Sequence, residues 1–269
     1  MNGITDRLHR KSVILVSLSL LIGSFSTLLP AFARQITPAV RNGPGGGAAT
    51  RRNTPVVVNS GNGGGAGTHK GSPACPTVSP VLTALVPTYG TSAENNTPQD
   101  DTLAERPTFW LYVPYALTEK VPGSLQLLEK DSAGKMEYQS VTTVTGTAPG
   151  VIGVQLPPGK RLEENQQYKW RFVISCDPND PTANPSTVAI VFRLPKNPKL
   201  EKQLQAIKQP AQRAALYAQN GIWYEALTTL AEQRRTNPGD AKISAKWREL
   251  LRQGGLSVFD AKSPIQKAP

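Results

Sequence analysis

Two histidines occur in the chain, His9 and His69, and histidine is the usual general base of enzymes that work near neutral pH. His9 lies in a segment that we expect to be removed, and His69 lies in a Gly-rich stretch that cannot hold a side chain in a fixed position. Catalytic triads and dyads need a histidine within hydrogen-bonding distance of a nucleophile. The sequence therefore excludes those mechanisms, as well as a zinc site that contains histidine.

Four carboxylates lie close together in the sequence, at Glu94, Asp100, Asp101 and Glu105. A glycosidase needs two carboxyl groups beside the scissile bond, at a separation that the fold determines. A carboxylate-dependent hydrolase of envelope glycans therefore stays open as an alternative. No spacing of Cys, His, Asp or Glu matches a metal site, and no phosphate loop follows a strand. We expect neither a metal nor a cofactor, and we assign no catalytic residue.

The first 33 residues have the three parts of a cleavable signal peptide. These are a basic start with Arg7, Arg10 and Lys11, an apolar run from Val13 to Leu21, and the motif Ala31-Phe32-Ala33. An uncleaved anchor is the alternative, because the apolar stretch nearly reaches spanning length, but its Gly, Ser and Pro residues disfavour a membrane helix. We expect cleavage after Ala33 and export to the periplasm, the medium or the thylakoid lumen, with no stable membrane span afterwards.

Cys75 and Cys176 are the two cysteines of the chain. Exported proteins fold in oxidising compartments, where cysteines pair. A single disulfide is therefore predicted in preference to a metal site or a thiol nucleophile. Closing a loop of about 100 residues stabilises a fold by about 4 to 5 kcal/mol in the chain-entropy model.

Residues 34–72 are predicted to be a disordered, Gly-rich, basic tether. They have almost no large apolar side chains, so they cannot bury enough surface to offset the entropy lost on ordering. The chain has a formal net charge of +11, and this segment contributes five basic residues and no acid. The basic composition therefore belongs largely to a tail rather than to a folded face. A solvated spacer and an arm that binds anionic polymers are both open.

Short apolar runs separated by Pro, Gly and Asn clusters predict a β domain over residues 73–196. The seven candidate strands are Val81 to Val86, Phe109 to Tyr115, Ser124 to Leu128, Met136 to Val144, Val151 to Leu156, Gln167 to Cys176 and Thr187 to Leu194. In the sixth strand, Tyr168, Trp170, Phe172, Ile174 and Cys176 share one face, which should point inward. Seven strands without intervening helices indicate a two-sheet β-sandwich, immunoglobulin-like in general architecture.

Residues 197–257 have apolar side chains at helical spacing, which predicts a small helical region after the β-sandwich and an α+β fold class. Gly221, Pro238 and Gly254 mark breaks between three or four helices. Residues 258–269 are predicted to be a flexible tail.

Four residues within this region, Tyr217, Ala226, Leu230 and Pro238, have the spacing of a tetratricopeptide repeat. A small Ala lets two antiparallel helices approach, the large side chains fill the contact, and Pro ends the second helix. The pattern predicts a tetratricopeptide-like helical hairpin. Repeat arrays need about three copies to bury a continuous core, so one hairpin must pack against another part of the chain.

The adjacent aromatic residues Trp223 and Tyr224 begin the second helix of this hairpin. Neighbouring side chains on a helix are about 100° apart, so we expect Trp223 to be buried and Tyr224 to remain exposed at the edge of the hairpin. Tyr224, Arg213 and Gln219 are therefore the candidate partner-binding residues. The alternative is that both rings are buried and the hairpin is a structural brace.

Four segments of the chain resemble a known cyanobacterial family. They are Cys75-Pro76 with Leu82 to Pro87, Pro107 to Tyr115, Trp170 with Cys176 to Pro178, and Arg213 to Pro238. The family is called domain of unknown function 928, and the similarity covers about residues 74–257. The resemblance implies a cyanobacterial, exported protein. The family has no assigned activity, so it implies no functional residues.

The features together favour a non-catalytic exported protein, a protein-interaction module of the periplasm or the cell exterior. The expected partner is a protein or an envelope polysaccharide. Nucleic acid is not expected, because the basic tract lacks the aromatic residues that stack on bases. A glycan hydrolase and a tethered structural component of the cell surface are the alternatives.

Overall fold

The computed structural model describes residues 74–89, 97–130, 132–259 and 264–268. The expected signal peptide, 1–33, and the expected tether, 34–72, lie outside these residues. Within the described ranges the chain forms nine strands and four α-helices, which confirms the α+β class and the C-terminal helical region. No helix in these ranges is long and apolar enough to cross a membrane.

The strands are short, and they differ in places from the predicted ones. They are β1 (Thr83–Ala84), β2 (Gln99–Thr102), β3 (Thr108–Val113), β4 (Gly123–Lys130), β5 (Met136–Val144), β6 (Gly150–Gln155), β7 (Gln166–Ile174), β8 (Ser186–Arg193) and β9 (Ile265–Lys267). The first predicted strand contracts to two residues, and the predicted strands include neither β2 nor β9. Each of these two strands pairs in parallel with a longer strand. The longer strand supplies their backbone hydrogen-bond partners, and their own sequences have no pattern that predicts a strand.

The first sheet has the strand order β1-β3-β6-β9. β1, β3 and β6 are antiparallel, whereas β9 is parallel to β6, with Ile265 opposite Val151. The contact between β9 and β6 continues just beyond the strand, because the backbone N–H of Ala268 donates to the carbonyl of Gly153 at 2.9 Å. The prediction of a flexible tail over residues 258–269 is therefore wrong for this strand.

The second sheet has the strand order β2-β8-β7-β4-β5. Its pairs are antiparallel except for β2 with β8. The predicted inward face is confirmed for Trp170, Phe172 and Ile174, which are completely buried, whereas Tyr168 and Cys176 at its two ends are half-buried. One irregularity between Leu125 and Gln126 shifts the register of β4 against β5.

The first sheet is buried on both of its faces. Alternate residues of β3, Phe109 and Leu111, belong to a core that includes Trp170 and Phe172 of the second sheet. Trp110, between them, belongs to a second core built mainly by the helices. The first sheet therefore lies between the second sheet and the helical layer. The finer prediction, an immunoglobulin-like sandwich, stays a prediction.

The four helices follow one another with short connections. They are α1 (Pro198–Ala206), α2 (Pro210–Gln219), α3 (Trp223–Thr236) and α4 (Ala241–Gln253). α1 and α2 begin with proline, whose missing N–H costs nothing at that position. Gly221, with a φ of 70°, makes the tight turn between α2 and α3 in a conformation that favours glycine. α2 and α3 form a helical hairpin, while its likeness to a tetratricopeptide repeat stays a prediction.

The predicted disulfide between Cys75 and Cys176 is confirmed. The two Cα atoms are 5.8 Å apart, and the cysteines are separated by 101 positions in the sequence. The bond joins the segment before β1, in the first sheet, to the end of β7, in the second. It therefore cross-links the two sheets covalently.

We expect the double variant Cys75→Ala with Cys176→Ala to lose about 4 to 5 kcal/mol of unfolding free energy, because the unfolded chain is released from a long closed loop. Urea titrations of the oxidised wild type and of the variant measure the difference. As a control, reductant should destabilise the wild type and leave the variant unchanged. Equal stability of the two proteins would contradict the prediction.

Candidate functional site

The first turn of α3 does not have the exposed aromatic residue that the helical spacing predicts. Tyr224 is 3% exposed, and its hydroxyl accepts a hydrogen bond from Nε1 of Trp170 at 3.1 Å. Trp223 is also 3% exposed, and its Nε1 donates to the carbonyl of Leu85 at 2.8 Å. The expected exposure of Tyr224 is wrong, because the start of α3 lies between two cores and both aromatic rings are enclosed.

The other two candidate residues, Arg213 and Gln219, are both exposed on α2. They are six positions apart, which on an α-helix means about 9 Å along the axis and about 120° around it. The structure therefore does not place them on one face with Tyr224. Gln219 instead takes part in a groove that Arg213 does not line.

The groove lies between α1 and the C-terminal end of α2 and has a volume of about 460 Å³. Its lining residues are Asn197, Lys199, Leu200, Gln203, Leu216, Gln219 and Asn220. Leu200, which is 2% exposed, supplies an apolar floor together with half-buried Leu216. This volume lies in the range of small-ligand sites, although the groove is open to solvent.

Two polar residues of the groove are used by the fold itself. Asn197 caps α1, since its Oδ1 accepts from the backbone N–H of Leu200 at 3.1 Å. Asn220 donates through Nδ2 to the carbonyl of Leu216 at 2.8 Å. Within the described chain, the side chains of the exposed residues Lys199, Gln203 and Gln219 have no polar partner. These three are therefore available to a ligand.

Sequence reasoning finds one part of this groove and misses another. Gln219 is a candidate because the sequence pattern predicts that it lies beside an exposed Tyr224. Lys199 and Gln203 are missed, although their spacing of four residues puts them on one side of α1. The sequence contains no signal that this side of α1 would lie beside the end of α2.

A second polar cluster lies at the interface of β2 and α3 and is half-buried. Oε1 of Glu225 accepts from Oγ1 of Thr102 at 2.6 Å and from the backbone N–H groups of Leu103 and Ala104 at 3.0 and 2.9 Å. Its other oxygen, Oε2, is buried with no hydrogen-bond partner in the described part of the chain. A glutamate on the helical layer thus binds the backbone where β2 ends.

Asp100 makes the reverse connection, from β2 to α3. Its Oδ1 accepts from the backbone N–H of Trp223 at 3.3 Å, at the first position of the helix, and from that of Asp101 at 2.7 Å. A carboxylate here satisfies one of the free N–H groups at a helix start. Burial raises the pKa of Asp100 to about 8, and burial also raises the pKa of Glu225.

These contacts test whether the carboxylates of this region could act as the pair of a glycosidase. Asp100 is occupied by backbone N–H groups, and Glu105 forms an exposed ion pair with Arg161 at 3.1 Å. Glu94 lies outside the described residues. Among the residues that the structure describes, no group of three or more His, Cys, Asp and Glu could hold a metal ion. The hydrogen bonds of the cluster hold α3 against β2.

We expect Tyr224→Ala and Trp223→Ala each to lower the free energy of unfolding by about 3 to 5 kcal/mol, because both remove large buried rings. Tyr224→Phe should cost about 1 to 3 kcal/mol, since it leaves the buried Nε1 of Trp170 without an acceptor. Denaturant titrations measure these losses, with exposed Val258→Ala as a control that changes stability little. A nearly unchanged midpoint for Tyr224→Ala would show that its ring is not buried.

The raised pKa of Asp100 predicts a pH dependence of stability. The folded state binds the proton more tightly than the unfolded state, so the stabilisation is complete below about pH 4 and is lost as the pH rises towards 8. The slope from one such group is at most about 1.4 kcal/mol per pH unit. Asp100→Asn keeps an oxygen acceptor for both N–H groups but does not titrate.

Thermal or urea unfolding between about pH 4 and pH 8 tests this prediction. The decline in stability should be shallower for Asp100→Asn than for the wild type. Glu105→Gln removes an exposed carboxylate and is the matched control, which should keep the wild-type slope. If Asp100→Asn kept that slope as well, Asp100 would not be the titrating group.

The comparison with known proteins bears on the whole described fold. None of the curated proteins compared with the chain matches it. A family model for a Domain of Unknown Function, DUF928, matches residues 63–265, which include every strand from β1 to β8 and all four helices. The match covers well over half of the 269 residues, and the chain therefore belongs to the DUF928 family.

Proposed function

We propose that this chain is an exported, non-catalytic protein that binds another protein through the groove between α1 and α2. The observation that carries the proposal is the pairing of an apolar floor, Leu200 and Leu216, with three exposed polar side chains that have no partner among the described residues. Interfaces commonly combine an apolar centre with polar groups around it.

The half-buried carboxylates support a binding role over the alternative of a glycan hydrolase. A glycosidase places its two carboxyl groups on either side of a bound sugar, in a cleft. Asp100 and Glu225 are half-buried between β2 and α3, where they instead accept backbone N–H groups. These hydrogen bonds give both carboxylates a role in holding the fold together.

Export is the part of the proposal that rests on the sequence and the disulfide. Residues 1–33 have the pattern of a signal peptide, and a disulfide such as Cys75–Cys176 persists in oxidising compartments outside the cytosol. The cyanobacterial resemblance, the immunoglobulin-like sandwich and the tetratricopeptide-like nature of the α2–α3 hairpin belong to the same proposal.

Site-specific crosslinking in intact cells tests the binding role. A photoreactive amino acid replaces Gln203 in one variant and Gln219 in another, on opposite walls of the groove. We expect both variants to give an adduct of the same mass with one partner, because the two positions face the same ligand. The adduct should weaken when Leu216→Glu, which puts a charge on the half-buried part of the apolar floor, is added.

The matched control replaces exposed Lys120, in the loop between β3 and β4, with the same photoreactive amino acid. It should not give that adduct. If the Lys120 variant gave the same adduct as the two groove variants, the partner would not bind specifically at the groove, which would contradict the proposal. Reproducible glycan hydrolysis that Asp100→Asn abolishes without loss of folding would overturn the proposal of a non-catalytic protein.

A further inference from the structure

The segment of the chain that forms the groove is strongly basic. Residues 196–220 contain five basic residues and one acid. The basic residues are Lys196, Lys199, Lys202, Lys208 and Arg213. All five are exposed, and within the described part of the chain none of them forms an ion pair. Five basic side chains without an ion-pair partner, so close together in the sequence, attract a negatively charged ligand to this part of the molecule.

The region that contains strands β1 to β8 has the opposite sign. Residues 74–195 contain nine basic residues and twelve acids. Residues 221–269 contain eight basic residues and five acids, so the excess of basic residues belongs to the C-terminal part of the chain and is densest in the first two helices. A ligand attracted by charge is directed towards the helices and away from the strands.

The walls of the groove fit a peptide backbone. Gln203 on α1 and Gln219 on α2 each offer two N–H donors and one carbonyl acceptor, and both are unpartnered among the described residues. An extended peptide presents free N–H and C=O groups along its length, which such amides can bind. A helix would not, because its backbone groups bond to one another.

The lining favours a peptide over an acidic sugar. The seven residues that line the groove include no aromatic ring on which a sugar ring could stack. The floor is made of aliphatic side chains, Leu200 and Leu216, which suit the Cβ atoms and methyl groups of small residues. Lys199 supplies a positive charge on the wall of α1.

Resting on the proposed function, we infer that the partner enters the groove as an extended, acidic peptide segment. Its backbone bonds to the amides of Gln203 and Gln219, its small apolar side chains contact Leu200 and Leu216, and a carboxylate pairs with Lys199. The remaining four basic residues raise the rate of encounter without forming fixed contacts.

Binding of two labelled octapeptides to the full mature chain tests this inference. One probe alternates Glu and Ala, and the other alternates Gln and Ala, with both ends blocked. At low salt the acidic peptide should bind at least about fivefold more tightly than the neutral one, and added salt should reduce the difference. An oligomer of galacturonic acid is the third probe and should not displace the acidic peptide.

Three variants locate the effect. Lys199→Gln should weaken binding of the acidic peptide by about two- to fivefold while leaving binding of the neutral one unchanged, as expected for one exposed ion pair. Gln203→Ala with Gln219→Ala should weaken both peptides. Lys120→Gln makes the same change of charge on the strand side and should have no effect on either.

The outcomes separate this inference from the proposed function. Equal affinity for both peptides, lost in the Gln203→Ala and Gln219→Ala variant, would refute the acidic partner while leaving a peptide-binding groove. Displacement by the galacturonic acid oligomer would refute the peptide in favour of a polysaccharide. Binding of neither peptide would refute the inference, and the crosslinking at Gln203 and Gln219 would then decide whether the groove binds a protein at all.

Discussion

The insertion of the first turn of α3 into the strands is the constraint on which the rest of the structure depends. Trp223, Tyr224 and Glu225 are consecutive, and each bonds to a different strand segment. Trp223 reaches the backbone that follows β1, Tyr224 reaches β7, and Glu225 reaches the end of β2. One helical turn thus connects both sheets to the helical layer, so the helices and strands form one body in which the two cores meet.

The groove derives its geometry from the same turn. Ile222, which directly precedes α3, is buried in a third cluster with Leu200 and Leu204 of α1. Because α3 is fixed by its bonds to the strands, Ile222 fixes α1, and the turn at Gly221 fixes the end of α2. Buried contacts therefore hold the two walls of the groove on rigid elements. The amides of Gln203 and Gln219 make no hydrogen bond within this framework, which leaves them free to bind.

Sequence reasoning finds the elements whose pattern is local. β7 is predictable because Trp170, Phe172 and Ile174 alternate, and the disulfide is predictable because the sequence has two cysteines and a signal-peptide pattern. β2, whose sequence Gln-Asp-Asp-Thr has no apolar alternation, is missed because that strand is defined by its partner β8. Short β9 is missed for the same reason.

The predicted exposure of Tyr224 fails for a different physical reason. Helical periodicity gives the direction of a side chain around its own axis, but not what surrounds the end of that helix. Glu225 illustrates the same limit, since an acid in the first turn of a helix is ordinarily explained by the helix dipole. Its actual partners are the backbone groups of Leu103 and Ala104, more than a hundred positions away. Only the tertiary fold brings such groups together.

The position of the disulfide also determines how the molecule would respond to a mechanical load. A force applied to the chain ahead of Cys75 passes through the sulfur atoms to Cys176 and continues along the chain to β8. β8 is held by hydrogen-bond ladders on both sides, from β2 and β7, whereas β1 has two residues at the edge of its sheet and could be peeled away. Residues 76–175 form a closed loop outside the path of the force, so their strands would bear no tension when the protein is pulled from that end.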